Sequence, residues 1–295
     1  MNNDGNDRKS VILNIASMLI FGTIGIFRKH ISVSSAFLAF SRGILGGLFL
    51  LAFIKLQKKT AGEKLPVKTV IRLAVTGALI GVNWILLFEA YNYTTVAVAT
   101  LCYYMQPTIV VLLSPFLFKE KLTPKKGLCA FAAIAGMVLV SGVIGGEAAD
   151  RGNISGILFG LSAAVFYAAV VIMNKKISGV DPYQKTTIQL FSAGLVMIPY
   201  MLLMEGALSG RFDLITVIMV VIVGIVHTGI AYAMYFGSMD GLKAQSIAIF
   251  SYIDPVSALL FSAVLLNEPL NAIGIIGAIM IIGSAVISEL QIGSQ

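Results

Sequence analysis

Residues 101–107 read LCYYMQP and residues 249–255 read IFSYIDP. Each stretch ends in a proline, with a polar residue just before it and a tyrosine three positions before it: Tyr104, Gln106 and Pro107 in one, Tyr252, Asp254 and Pro255 in the other. A proline inside a helix has no amide hydrogen and crowds the carbonyl four residues back, so the carbonyls of Tyr103 and Ser251 are expected to lose their helical partners. Asp254 can hold an ammonium group, exchange a proton, or only accept a hydrogen bond from a neighbouring helix. Gln106 offers an acceptor and two donors to a polar ligand, or bridges two helices.

Three further residues could carry charge or a proton. His227 is a candidate proton carrier beside Asp254, with a neutral, hydrogen-bonded core imidazole as the alternative. Arg42 and Glu89 are expected to form a structural ion pair, or Arg42 to snorkel. Glu120 and Glu268 read as helix-end carboxylates suited to an N-terminus. Trp84, Tyr103, Tyr104, Tyr167, Tyr232, Tyr235 and Tyr252 cluster on the same segments, and an aromatic wall can hold an apolar side chain or an ammonium group. Tyr91, Tyr93 and Tyr200 read instead as interfacial rings.

The elements that position these groups are apolar. Of the 295 residues, 58% are hydrophobic and 12% charged, against about a quarter charged in a soluble globule. About 20 apolar residues cross a bilayer core, and spans are expected near 11–27, 36–54, 71–90, 95–118, 127–144, 154–173, 186–204, 214–237, 244–266 and 271–288. In such a setting an unpaired carbonyl is tolerated only where water, protein or a ligand reaches it, so the two prolines mark a wet midplane rather than a simple kink. Residues 1–10 precede an uncleaved first helix, since no small-residue cleavage site follows it. Cys102 and Cys129 lie in spans and read as packing residues, not as a disulfide or metal site.

Shifting the chain by 148 positions aligns Tyr104 with Tyr252, Pro107 with Pro255, Ser114 with Ser262 and Glu120 with Glu268. Seven of 22 ungapped positions match, and Gly81, Trp84 and Phe88 fall opposite Gly229, Tyr232 and Phe236. A unit of five spans is odd in number, so its second copy enters the membrane inverted, an architecture that places a ligand site near the midplane. The expected organisation is an N-terminal tail at 1–10, a first five-helix repeat at 11–144, a linker at 145–153, a second repeat at 154–288 and a C-terminal tail at 289–295. The fold class is thus an all-α integral membrane protein, with ten transmembrane helices in two inverted repeats around a central cavity.

Charge then orients the chain. Lys55, Lys58, Lys59, Lys64, Lys68, Arg72, Lys119, Lys121, Lys125, Lys126, Lys175, Lys176, Lys185 and Lys243 fall on one side, and only Arg28, Lys29, Arg151 and Arg211 on the other. The positive-inside rule puts both termini in the cytoplasm. The net charge of +7 is therefore topological and no nucleic acid partner is expected.

Ten spans with these paired Pro-to-Glu signatures, 107–120 and 255–268, resemble the EamA-type members of the drug/metabolite transporter superfamily over residues 10 to 290. The resemblance implies secondary transport of a small metabolite. It also implies a cavity lined by the first, third, fourth, sixth, eighth and ninth helices, with the second outside its wall. Small multidrug relatives carry a glutamate in the first helix; here that helix offers Asn14, Ser17 and Thr23 and no carboxylate.

No phosphate-binding GxxxxGK[ST] loop, HExxH or GxSxG occurs, so neither ATPase nor other enzyme activity is expected, and no cofactor or metal. The leading expectation is export of an amino acid or amine across the cytoplasmic membrane by a monomer or homodimer. The substrate would be bound by Trp84, Tyr103, Tyr104, Gln106, His227, Tyr232, Ser251, Tyr252 and Asp254. Uptake of a choline-like cation and a non-transporting scaffold or receptor are the alternatives. Because Arg42 is the only cation counted within the spans, a polyanionic cargo is disfavoured.

Overall fold

The computed structural model describes residues 3–57, 65–118, 123–140, 151–205, 210–239, 242, 247, 250–268 and 270–289. Outside them lie Glu120, Lys58, Lys59, Lys64, Lys119, Lys121 and Lys243, most of the expected linker and nearly all of the C-terminal tail. The described chain is almost entirely helical, with one isolated bridge between Val33 and Gly210.

Its helices are α1 (Asn3–Gly22), α2 (Ile24–Lys29), α3 (Ser35–Leu56), α4 (Val67–Tyr93), α5 (Val96–Tyr103), α6 (Gln106–Phe118) and α7 (Pro124–Val140). They continue with α8 (Arg151–Lys175), α9 (Pro182–Leu195), α10 (Met197–Tyr200), α11 (Leu214–Gly224), α12 (Ala231–Met239), α13 (Ile253–Leu265) and α14 (Ala272–Glu289). Wider π turns occupy Met201–Glu205 and Ile225–Ile230.

Among the described residues, seven segments of 22 to 27 residues are long and apolar enough to cross a membrane: Arg8–Lys29, Ser35–Leu56, Val67–Tyr93, Val96–Leu117, Asn153–Lys175, Pro182–Leu203 and Leu214–Ser238. At 1.5 Å per residue they reach about 33–40 Å, enough for a hydrocarbon core of about 30 Å. Ile253–Leu265 and Ala272–Ile287 are shorter apolar helices. The expected span at 244–266 is thus described as a helix only over its second half.

Local chemistry sets where helices begin. Ser34, Thr95, Asp181 and Asp213 each sit at an N-cap and accept from the backbone amide three residues on, taking up a donor the helix cannot use. The prolines set where helices break. α5 ends at Tyr103 and α6 starts at Gln106, and α13 starts at Ile253, so both interruptions fall in the residues just before Pro107 and Pro255.

Small residues let these helices cross closely. A side chain at Gly22 of α1 would meet Ser257 Oγ and the Asp254 carbonyl of α13, so α1 lies directly against the second break. α3 packs on α9, α4 on α8 and α9, and α7 on α14. Large apolar side chains such as Leu56, Phe116 and Leu203 point outward, where a bilayer would solvate them, while Phe88, Leu38 and Leu190 fill the interior.

Candidate functional site

Between these helices lies a cavity of about 730 Å³, within the usual range for small-molecule sites. Both breaks open onto it. From the first come Tyr103, Tyr104, Gln106 and Pro107, and from the second Ser251, Tyr252 and Asp254. Tyr104 donates its hydroxyl to Asp254 Oδ2 at 2.6 Å, linking the two breaks across the cavity.

Rings form much of the wall. Tyr103 stacks on Tyr167 at 5.4 Å and meets Tyr104 edge-on at 5.8 Å. Tyr232 lies 5.3 Å from Phe21 and stacks on Phe236 at 5.9 Å. Trp84 also lines the cavity, and the Arg42 guanidinium carbon sits 4.1 Å above its ring and 6.0 Å from that of Phe88.

Arg42 departs from expectation. It is buried, lines the cavity and makes no ion pair with Glu89, whose recorded partner is Asn92. α3 therefore contributes to the wall, as does α9 through Lys185, Thr186, Gln189 and Leu190. Lys185 is a second cation at the cavity, its amine bonded to the carbonyls of Asn174 and Ile177. The sequence-based count of one cation is thus too low. Tyr91 is buried beside the cavity rather than interfacial, whereas Tyr93 and Tyr200 are exposed.

His227 and Pro255 are not among the cavity-lining residues. His227 is buried, shares a 2.8 Å hydrogen bond with Thr23 Oγ1 and packs edge-on against Phe27 at 4.6 Å. The cause is the π turn at Ile225–Ile230, which shifts the helical register and directs His227 toward α2. The same turn gives Thr228, whose Oγ1 accepts from Arg42 Nε at 2.8 Å.

The two ends of the cavity differ. At one, Glu268 Oε2 accepts from the Val96 backbone amide and the Ser262 hydroxyl, both at 2.9 Å, and Oε1 lies 3.4 Å from Lys29 Nζ. Lys29 also donates to the Thr94 carbonyl at 3.0 Å, and Thr94 bonds Asn153. Glu268 does act at a helix N-terminus, but that of α5, 172 positions away, where no local pattern could reveal it. Toward the other end the lining runs through Asn174, Val180 and Pro182, and Pro182 is exposed. Glu268 and Lys29 do not line the cavity, but the Val96 amide that Glu268 holds lies one helical turn before the lining residue Thr100, so this latch ties helix ends together beyond that end, whereas the lining itself runs to exposed Pro182 at the other.

Among the described residues no group of three or more His, Cys, Asp or Glu is placed to hold a metal.

Comparison with known proteins agrees with this architecture. The chain matches the EamA-like transporter family twice, over residues 8–142 and 154–289. It is 32% identical over 279 residues to the uncharacterized transporter YxxF of Bacillus subtilis (strain 168), covering 92% of this chain and 86% of that protein. A probable amino-acid metabolite efflux pump of Salmonella typhimurium (strain LT2) is 29% identical over 201 residues, 64% of this chain and 66% of its own. Protein PecM of Dickeya dadantii (strain 3937) is 28% identical over 228 residues, 76% and 75% of the two chains. One crystal structure superposes with a TM-score of 0.67 over 94% of this chain and 95% of its own, at 22% identity, which shows a shared fold. The chain is a multi-pass membrane protein and belongs to the EamA-like transporter family of the drug/metabolite transporter superfamily.

Proposed function

We propose that this protein is a secondary transporter that exports a small amphipathic metabolite, an amino acid or amine, across the cytoplasmic membrane by alternating access. Ten helices in two inverted five-helix repeats would rock about the cavity, with both termini in the cytoplasm. One observation carries this reading: the cavity that holds Asp254 among aromatic rings reaches exposed Pro182 at one end, while Glu268 and Lys29 tie helix ends together beyond the other. Lys175, Lys176 and Lys185 flank Pro182 in the chain, so under the positive-inside rule that mouth would be cytoplasmic. A cargo loading from the cytoplasm would then meet Tyr104, Gln106, Tyr232, Tyr252 and Asp254 before the latch opens.

Similarity to a probable amino-acid metabolite efflux pump supports this cargo class. The rings beside a carboxylate also favour a second reading, uptake of a choline-like cation. His227 is left as a support for Thr23, so any proton coupling is proposed to rest on Asp254. Counterflow in proteoliposomes against a panel of amino acids and amines tests the proposal. Accelerated exchange of at least one class by wild type and not by Asp254→Asn supports it, and no exchange of any panel member removes it.

A further inference from the structure

A charged group buried in an apolar setting needs an opposite charge or a full set of hydrogen bonds. Arg42 has neither. Its Nε is taken by Thr228 Oγ1, and no other hydrogen bond from the guanidinium is recorded among the described residues. Its terminal nitrogens are not among the sealed, partnerless polar atoms, so they remain reachable from the cavity. Trp84 supports one face of the group at 4.1 Å.

Asp254 is the converse case. Tyr104 satisfies Oδ2, and among the described residues no cation forms an ion pair with the carboxylate. The cavity therefore holds a guanidinium on α3 and a carboxylate on α13 with no direct contact between them. Lys185, the third charged group of the lining, is engaged by two carbonyls toward the mouth.

We infer that Arg42 is the carboxylate anchor of this cavity, and that with Asp254 it selects a compact zwitterion whose ammonium and carboxylate groups bridge the two. This rests on the transport reading above and narrows its cargo. A planar guanidinium with two free amino groups matches a carboxylate in a two-pronged geometry that lysine cannot reproduce. A cation-only cargo would leave Arg42 unpaired and would add positive charge to a lining with two cations and one carboxylate.

The test compares matched pairs in proteoliposomes: leucine with isoamylamine, and phenylalanine with phenethylamine, each pair differing by one carboxylate. Wild type is expected to exchange the amino acid at least about tenfold faster than its amine, the scale of one charge-assisted contact. Arg42→Lys keeps the charge and should erase most of that ratio, which is read within the variant as amino acid against its matched amine. A wild-type ratio near one, or a ratio unchanged in Arg42→Lys, overturns the anchor while transport itself stands. Exchange of neither class by monodisperse wild type overturns both readings. If Arg42→Lys does not fold, wild-type exchange of leucine against leucine methyl ester decides: equal rates overturn the anchor and a similar preference for leucine supports it.

Discussion

The two helix breaks share a sequence pattern and do different work. At the first, Gln106 is neutral, Pro107 faces the cavity and Tyr104 supplies a hydroxyl. At the second, Asp254 is charged, Pro255 is buried away from the cavity, and α1 crosses so closely that only glycine fits at position 22. The helix of the second break leads to Glu268, which holds the first amide of α5, the helix that runs into the first break. A duplicated motif has thus become an asymmetric pair, one break carrying the charge and the other placing the hydroxyl that orients it.

That asymmetry predicts a graded series. Asp254→Asn removes the charge and should lower transport by about a hundredfold, the upper range for one buried charged contact, with the melting temperature little changed. The exchange variant Gln106→Asp with Asp254→Gln should stay near that floor, because the Tyr104 hydroxyl donates to position 254 and not to 106. Recovery of transport in the exchange variant would show that the breaks are interchangeable.

Tyr104→Phe should raise the half-saturating concentration about tenfold, since a hydrogen bond to a carboxylate contributes roughly 1.5–3 kcal/mol. No change would mean that the 2.6 Å contact does not position Asp254. Glu268→Gln weakens the latch, in which a partly exposed ion pair contributes under about 1 kcal/mol and the charged bond to Val96 adds to it. Thiol labelling from the outer face at Thr100→Cys should then rise by about five- to tenfold, whereas labelling unchanged from wild type would show that the latch does not hold that end. Gln106→Leu should have the smallest effect, about two- to threefold on transport, and a loss as large as that of Asp254→Asn would erase the distinction between the breaks.

Much of this arrangement is legible in the chain. The proline breaks, Asp254, Gln106 and the rings at 84, 103, 104, 232 and 252 follow from residue type and helical placement, because an apolar span makes each polar interruption conspicuous. Arg42 was visible as an intramembrane charge, but its place depends on how far α3 rotates toward Trp84, and that is set by packing on α9 at Gly43 and Gly194. His227 is conspicuous in the chain as an ionisable residue in an apolar span, but the π turn at 225–230, which residue types do not announce, takes it away from the cavity lining. The latch joins Lys29, the Thr94–Val96 turn and Glu268 from three distant segments, so nothing local announces it. Lys185 lies one residue before its expected span and so escaped the count of cavity cations.

The central claim is a water-reached cavity at the two breaks that opens at the Pro182 end. Val171→Cys, in a background where Cys102 and Cys129 are replaced by serine, places a thiol on the cavity wall. In inside-out vesicles a membrane-impermeant maleimide should label it rapidly, and an exchanged substrate should slow the labelling. A thiol that stays unlabelled from the cytoplasmic face under native conditions, yet reacts fully once the protein is denatured, would contradict the account.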